Sequence, residues 1–334
     1  MTVEPQAGET RRERDAVWSL SEPASGVTDL LVEAKTRLLP RQAAQVFDGP
    51  ATRRALDSGA TLLVVAPWLS RRTQEVLERR GVSFLDLAGN VSLTVRRPTV
   101  FVRTQGSDRD PSPHPQPAPT LRGPKARRLV RTLTDFQPPY RLTALAEFNE
   151  LSLGYVSKLI DRLNDEAILD RPGRGEVERV DWPTLLMAAA QEYTPWSGRS
   201  AWTFVSPSGA AKLYERLTDP GAPETLVTAS FAARIIAPIS GAAQLVLYCD
   251  DPDAMRTFGR LVPSNQGADV VLIRPDDRWV RQGARTVDGV KHVAPSQLVL
   301  DCANGPGRVP EQGRAVVEWM RGHEDHWRNP MLTG

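Results

Sequence analysis

The chain has 334 residues, enough for two or three domains, and its 40% hydrophobic and 25% charged content is that of a globular protein. A formal charge of +2 excludes a molecule-wide polyanion-binding field, so any case for nucleic acid has to be local. Two cysteines, Cys249 and Cys302, exclude a disulfide framework and fit a reducing cytoplasm. The charged residues 1–15 lack a signal core, and no later run is long enough to span a bilayer.

Residues 1–25 are polar and of mixed charge and are expected to be largely disordered, with a helix around Trp18. Leu30, Leu31, Ala34, Leu38 and Leu39 predict a helix ended by Pro40, followed by a short turn at 42–47 and helical residues at 52–56. TLLVVA at 61–66 reads as a strand buried on both faces and stopped by Pro67. Ser70 then caps a helix to Arg80 with Val76 and Leu77 inward, and Gly81 ends it. A strand at 82–87, a tight turn at Ala88-Gly89-Asn90, alternation through Val91, Leu93 and Val95, and a last strand at 99–103 complete a small α/β domain over 26–104.

Such a unit raises the reading of a metal-dependent nuclease, with Asp57, Glu75 and Asp86 as carboxylates. That chemistry needs an acidic pair on a cation and usually a lysine. The first lysine after Asp86 is Lys125, and Asp86 is better placed to cap the turn at Gly89 and Asn90.

Residues 105–124 are dense in proline and polar residues and form an extended interdomain linker. Arg122, Lys125, Arg127, Arg128 and Arg131 follow with no acid before Asp135. They lead into a helix whose apolar face is Leu129, Val130 and Leu133. A cationic run of this kind is where DNA phosphates are neutralised, or is simply a solubilising linker end.

Residues 142–182 read as a DNA-binding winged helix-turn-helix, the centre of a domain over 125–182. Leu142, Leu145, Ala146 and Phe148 make the stripe of a first helix, Asn149 and Glu150 turn, and Ser152 is placed to cap a second helix. In that second helix Val156, Leu159, Ile160 and Leu163 face the core. The opposite face carries Gly154, Tyr155, Ser157, Lys158, Asp161 and Arg162, with small residues near the N-terminus and hydrogen-bonding and cationic groups outward, as major-groove entry requires. Alternation at 170–180 around Pro172, Gly173, Arg174 and Gly175 predicts a hairpin wing with a cationic tip. The alternative is a small helical subdomain with a solvated charged face.

Residues 183–322 are expected to form a C-terminal α/β domain, followed by a polar tail at 323–334. TLVTASFAARIIAPI predicts a strand, a small-residue turn and a helix; strands follow at 244–249 and 268–274 around a helix near 253–261. Asp250, Asp251 and Asp253 invite a nucleotidyltransferase reading, in which a Gly-Ser turn cradles the triphosphate and an Asp-x-Asp pair holds metal. Here the turn is Ala229-Ser230 without the glycine, and Asp251-Pro252-Asp253 reads as a loop and helix cap. No second His or Cys stands at metal spacing from His292.

Several phrases, LLVVAPWLS with FLDLAGNVSL, RGPKARRLVRTLTDFQPPYRLTALAE and VAPSQLVLDCANGPGR, resemble the abortive-infection (type IV) antitoxin-like regulators of high-GC Gram-positive bacteria. The resemblance implies a winged-helix protein that represses its own operon, fused to a domain related to nucleotidyltransferases but without their active site. It maps DNA binding onto Ser152, Gly154, Tyr155, Ser157, Lys158 and Arg162.

The expected molecule is therefore a multidomain α/β protein and a cytoplasmic, sequence-specific transcriptional regulator without catalysis or cofactor. Its expected partner is double-stranded DNA, with a cognate toxin or a second copy as further partners and no membrane. Lys158 and Arg162 would meet bases or phosphates and Arg174 would reach from the wing. The alternatives are a metal-dependent nuclease or nucleotidyltransferase, and a protein that sequesters a toxin without operator specificity.

Overall fold

The structure, a computed structural model, describes residues 2–5, 16–22, 26–46, 57, 59–96, 99–111, 119–193, 200–239, 244–330 and 332; the helical residues expected at 52–56 lie outside these. It is a mixed α/β protein with two compact units, one within residues 1–118 and 161–167, the other within 119–160 and 168–334. No helix among the described residues is long and apolar enough to cross a membrane.

The first unit is built on a seven-stranded sheet whose strands lie in chain order. Thr2–Pro5 (β1), Ala16–Glu22 (β2) and Gly26–Ala34 (β3) pair antiparallel. Helix Pro40–Val46 (α1) crosses to Thr61–Ala66 (β4), and helix Arg71–Arg79 (α2) crosses to Ser83–Asp86 (β5), so β3, β4 and β5 run parallel. Val91–Val95 (β6) and Val100–Thr104 (β7) return antiparallel. Leu62, Val64, Ala66, Leu77 and Phe84 fill the core beneath α1 and α2.

Three expectations are corrected here. Trp18 lies in strand β2 rather than a helix, the apolar residues from Leu30 belong to strand β3, and 40–46 is a helix rather than a turn. In β3 the burial has period two, with Leu30 and Val32 buried and Leu31 and Glu33 half-buried, because the strand lies between β2 and β4. A fourth correction is that residues 2–5 and 16–22, expected to be largely disordered, pair as strands β1 and β2; from β4 onward the unit follows the sequence. Ser70 Oγ accepts from the Thr73 amide at 3.1 Å, and Gly81 takes φ +67° after the helix.

Asp86 is buried and caps the turn as expected. Its carboxylate accepts from the amides of Leu69 (3.0 Å) and Asn90 (2.9 Å) and from Asn90 Nδ2 (2.9 Å). Asn90 Oδ1 in turn accepts from the Gly106 amide at 2.9 Å, so the start of the proline-rich segment is packed on the turn. A Cβ on Gly106 would fall 2.0 Å from the Ala88 carbonyl oxygen, which makes glycine obligatory there. Asp86→Ala would leave two buried amides without an acceptor and is expected to lower stability by roughly 3 kcal/mol in urea unfolding. A loss under ~1 kcal/mol would show that the carboxylate does not hold the turn.

The second unit begins with helix Pro124–Asp135 (α3), followed by Leu142–Phe148 (α4) and Leu153–Asp165 (α5), of which residues 161–165 fall in the first unit. Strands Leu169–Asp170 (β8) and Arg179–Val180 (β9) form a hairpin, and helix Trp182–Gln191 (α6) follows. Leu129, Val130, Leu133, Leu145, Val156, Leu159, Ile160 and Leu163 are all fully buried, which is the apolar face the spacing predicts.

Seven further strands form a second sheet, Ala201–Val205 (β10), Thr225–Thr228 (β11), Leu245–Cys249 (β12), Val262–Pro263 (β13), Val270–Ile273 (β14), Arg285–Val287 (β15) and Val290–His292 (β16). Their order is β13-β10-β14-β12-β11-β16-β15, with β12 parallel to β14 and β11 parallel to β16. The helices are Ala210–Glu215 (α7), Ala229–Ile236 (α8), Pro252–Gly259 (α9), Pro295–Ala303 (α10), Val309–Gly322 (α11) and Glu324–Trp327 (α12).

The expected polar tail from 323 is in fact docked. Trp327 is buried edge-on against Trp182 at 5.1 Å, and the Asn329 amide donates to the Asp135 carbonyl at 2.7 Å.

Candidate nucleic-acid interface

Helix α4 ends where Asn149 turns inward. Asn149 is fully buried, donates from Nδ2 to the Leu145 carbonyl (2.8 Å) and accepts the Thr132 hydroxyl at Oδ1 (2.7 Å), which fastens the turn to α3. Glu150 takes φ +54° and the Leu151 amide donates back to Ala146. Ser152 is exposed ahead of α5, and its Oγ lies 3.4 Å from the Tyr155 amide, the capping position expected of it.

With the buried stripe of α5 turned in, Gly154 and Lys158 are exposed and Tyr155 and Ser157 are half-buried. Burial raises the Tyr155 hydroxyl above its usual range, so it stays a neutral donor. Lys158 is in no ion pair among the described residues. A Cβ on Gly154 would meet nothing within 4 Å, so packing among the described residues gives no reason for glycine at this position. Arg162 is placed differently from the expectation. Only 16% of its side chain is exposed, and Nε donates to Glu166 at 2.7 Å, one turn on.

The hairpin presents Arg174 and Gly173 at an exposed tip. Arg171, which sequence reasoning passed over, is buried beneath it and donates to the Gly175 (2.9 Å) and Arg174 (3.1 Å) carbonyls, bracing the tip from inside. A second arginine three residues before Arg174, in a hairpin with two glycines, was the available signal.

The basic run divides in two, and this corrects the expectation of one phosphate anchor. Arg122 and Lys125 are exposed, Arg122 lying 4.0 Å from Glu192. Arg127, Arg128 and Arg131 turn inward. Arg127 is paired with Asp276 and stacked on Tyr193; Arg128 grips Asp277 with two donors at 2.6 and 3.1 Å and lies over Trp279. Arg131 is 2% exposed and donates to the carbonyls of Trp279 (2.5 Å) and Gln282, with Ser296 Oγ at 3.3 Å and Asp135 at 3.7 Å. Burial lowers the Arg131 guanidinium while Asp135 and Asp301 hold it up. A local charge count could not see the carboxylates and carbonyls some 150 residues later that take up these three side chains.

A buried polar chain continues from Arg131. Gln297 bridges it to Asp301, with Nε2 to Oδ1 at 2.8 Å, and Asp301 accepts from Thr228 Oγ1 (2.7 Å) and Tyr248 OH (2.8 Å). Burial raises the Asp301 carboxyl against the hydrogen bonds of Thr228, Tyr248 and Gln297, and pushes the Tyr248 hydroxyl well above its usual range.

The acidic residues weighed for catalysis have other partners. Asp250 pairs with Arg281 at 2.7 Å, Asp251 caps α9 through the Ala254 amide, and Asp253 lies 3.8 Å from Arg256. Ala229 takes φ +52°, the conformation a glycine favours, but Ser230 Oγ is spent on Gln312 at 2.8 Å. In the first unit Asp57 is exposed and Glu75 faces Arg71 and Arg72. No His, Cys, Asp and Glu cluster suited to a metal occurs among the described residues. No family model, curated protein or solved structure matches the chain.

Proposed function

We propose that the protein is a sequence-specific regulator that binds double-stranded DNA through a winged helix-turn-helix at 125–182, with α5 as the reading helix and the hairpin as its wing. The observation that carries this reading is the N-terminal half of α5. Its inner face is seated on a fully buried stripe, while Gly154 and Lys158 leave an open, cationic outer face. A glycine in a helix costs up to about 1 kcal/mol relative to alanine. With no contact among the described residues to explain it, close approach of another molecule does. Lys158 meets bases or phosphates, Ser152, Tyr155 and Ser157 add polar contacts, Arg174 reaches from the wing, and Arg122 and Lys125 form the reduced phosphate anchor. The chain works by binding, in the cytoplasm. The resemblance to antitoxin-like regulators makes the DNA upstream of its own gene the first operator to test.

Retardation of that DNA by the full chain tests the reading. Lys158→Ala is expected to weaken binding by ~1–3 kcal/mol with unchanged melting temperature, and Lys125→Ala to reduce the slope of log affinity against log salt by about one. Equal affinity for the Lys158 variant removes α5 as reader, and salt-insensitive binding argues against a DNA contact of any kind.

A further inference from the structure

Beside α3 and α4 the second unit holds a cavity of about 520 Å³ that the DNA-binding reading leaves unused. Phe136, Phe148 and Trp327 give it aromatic walls, and Asp135, Gln282 and Arg285 bring polar groups to it. This volume and this mixture of apolar wall with a few convergent polar groups are those of a small-molecule site.

The polar groups specify what would enter. Asp135 has its own ion-pair partner, since Arg131 stands 3.7 Å away. Arg285 is half-buried and, among the described residues, meets no carboxylate within 4 Å, the charge of Asp135 acting on it from farther off; its hydrogen bond among those residues runs from Nη2 to the His326 carbonyl at 3.1 Å. A guanidinium with spare donors and no contacting counter-ion is a carboxylate receptor, because the planar fork matches both oxygens. Gln282 Oε1 is buried and, among the described residues, has no hydrogen-bond partner, a defect that a donor on a ligand would remove.

We infer that this cavity binds a small aromatic carboxylate that carries a ring N–H or O–H. The carboxylate pairs with Arg285, the ring lies among Phe136, Phe148 and Trp327, and the ring donor satisfies Gln282. The site lies where the C-terminal ends of α3 and α4 meet the segments that follow β14 and α12, so an occupant would clamp the seat of the helix-turn-helix. The inference concerns binding alone and stands whether or not α5 reads DNA.

Calorimetric titration of the full chain with indole-3-acetate and with 4-hydroxyphenylacetate tests it. Saturable one-to-one binding is expected for at least one of the two acids. It should weaken at least tenfold for the corresponding amide, indole-3-acetamide or 4-hydroxyphenylacetamide, which lacks the charge. Arg285→Gln should weaken the acid at least tenfold and leave the amide unaffected. Gln282→Leu should abolish the preference for the acid over its N-methyl or O-methyl ether analogue. Both substitutions are of half-buried side chains, and unchanged near-ultraviolet dichroism would show that the fold is retained. Absence of saturable binding by both acids overturns the inference, as does binding that is indifferent to Arg285→Gln.

Discussion

Arg131→Met is expected to cost roughly 3–5 kcal/mol of stability, the range for removing one partner of a buried charged network. The methionine fills most of the aliphatic stem but donates nothing. It would leave the Trp279 and Gln282 carbonyls without their donor and the buried Asp135 carboxyl without its nearest counter-charge. Arg128→Met should cost less, roughly 2 kcal/mol, because a fifth of that side chain stays exposed and the buried Asp277 carboxylate still accepts from the Trp279 amide. Urea unfolding of both variants measures the difference. Replacing Asp135 together with Arg131 by apolar residues should recover part of the loss, since both charges then leave together. A near-neutral Arg131→Met would return the side chain to the list of candidate phosphate contacts.

That contrast marks what the sequence could and could not express. Elements whose partners are local were legible. The strand at 61–66, the Ser70-capped helix, the Asp86 turn, the stripe of α5 and the passage from β11 into α8 depend on residues within a turn or two of each other. Strand β3 was not legible, because Leu30, Leu31, Ala34 and Leu38 satisfy a helical spacing equally well. Pairing with β2 and β4 decides its conformation, and strand preference is set by such neighbours rather than by the residues themselves. The same holds for the candidate site. Lys158 and Gly154 were readable from position on the helix alone, whereas the loss of Arg127, Arg128 and Arg131 from the cationic face depends on Asp276, Asp277 and Trp279. The docked tail depends likewise on Trp182 and Asp135, each well over a hundred residues from its partner.

The buried chain that starts at Arg131 ends in a carboxyl whose ionisation should be visible in the pH dependence of stability. Asp301 has its pKa raised in the folded state, and burial is the largest cause. For a raised acid the folded chain binds the proton more readily than the unfolded one. The stabilising contribution is therefore complete below the ordinary aspartate value of about 3.9 and is lost as pH rises through the folded value. Asp135 is raised by burial too and adds a loss of the same sign, so the wild-type profile alone does not isolate Asp301. Asp301→Asn does. Its amide oxygen still accepts from one of the surrounding donors, and the Thr228 and Tyr248 hydroxyls can rotate to accept from its nitrogen. Relative to the wild type, the variant should be least favourable at acid pH and should gain as pH rises above about 4, at up to ~1.4 kcal/mol per pH unit while the window lasts. Asp301→Ala instead leaves the buried Thr228, Tyr248 and Gln297 donors unmatched and should lose several kcal/mol at every pH. A constant difference between Asp301→Asn and the wild type from acid to neutral pH would show that this carboxyl titrates alike in the folded and unfolded chain. The polar chain from Arg131 would then be a set of hydrogen bonds without the charge coupling that its burial implies.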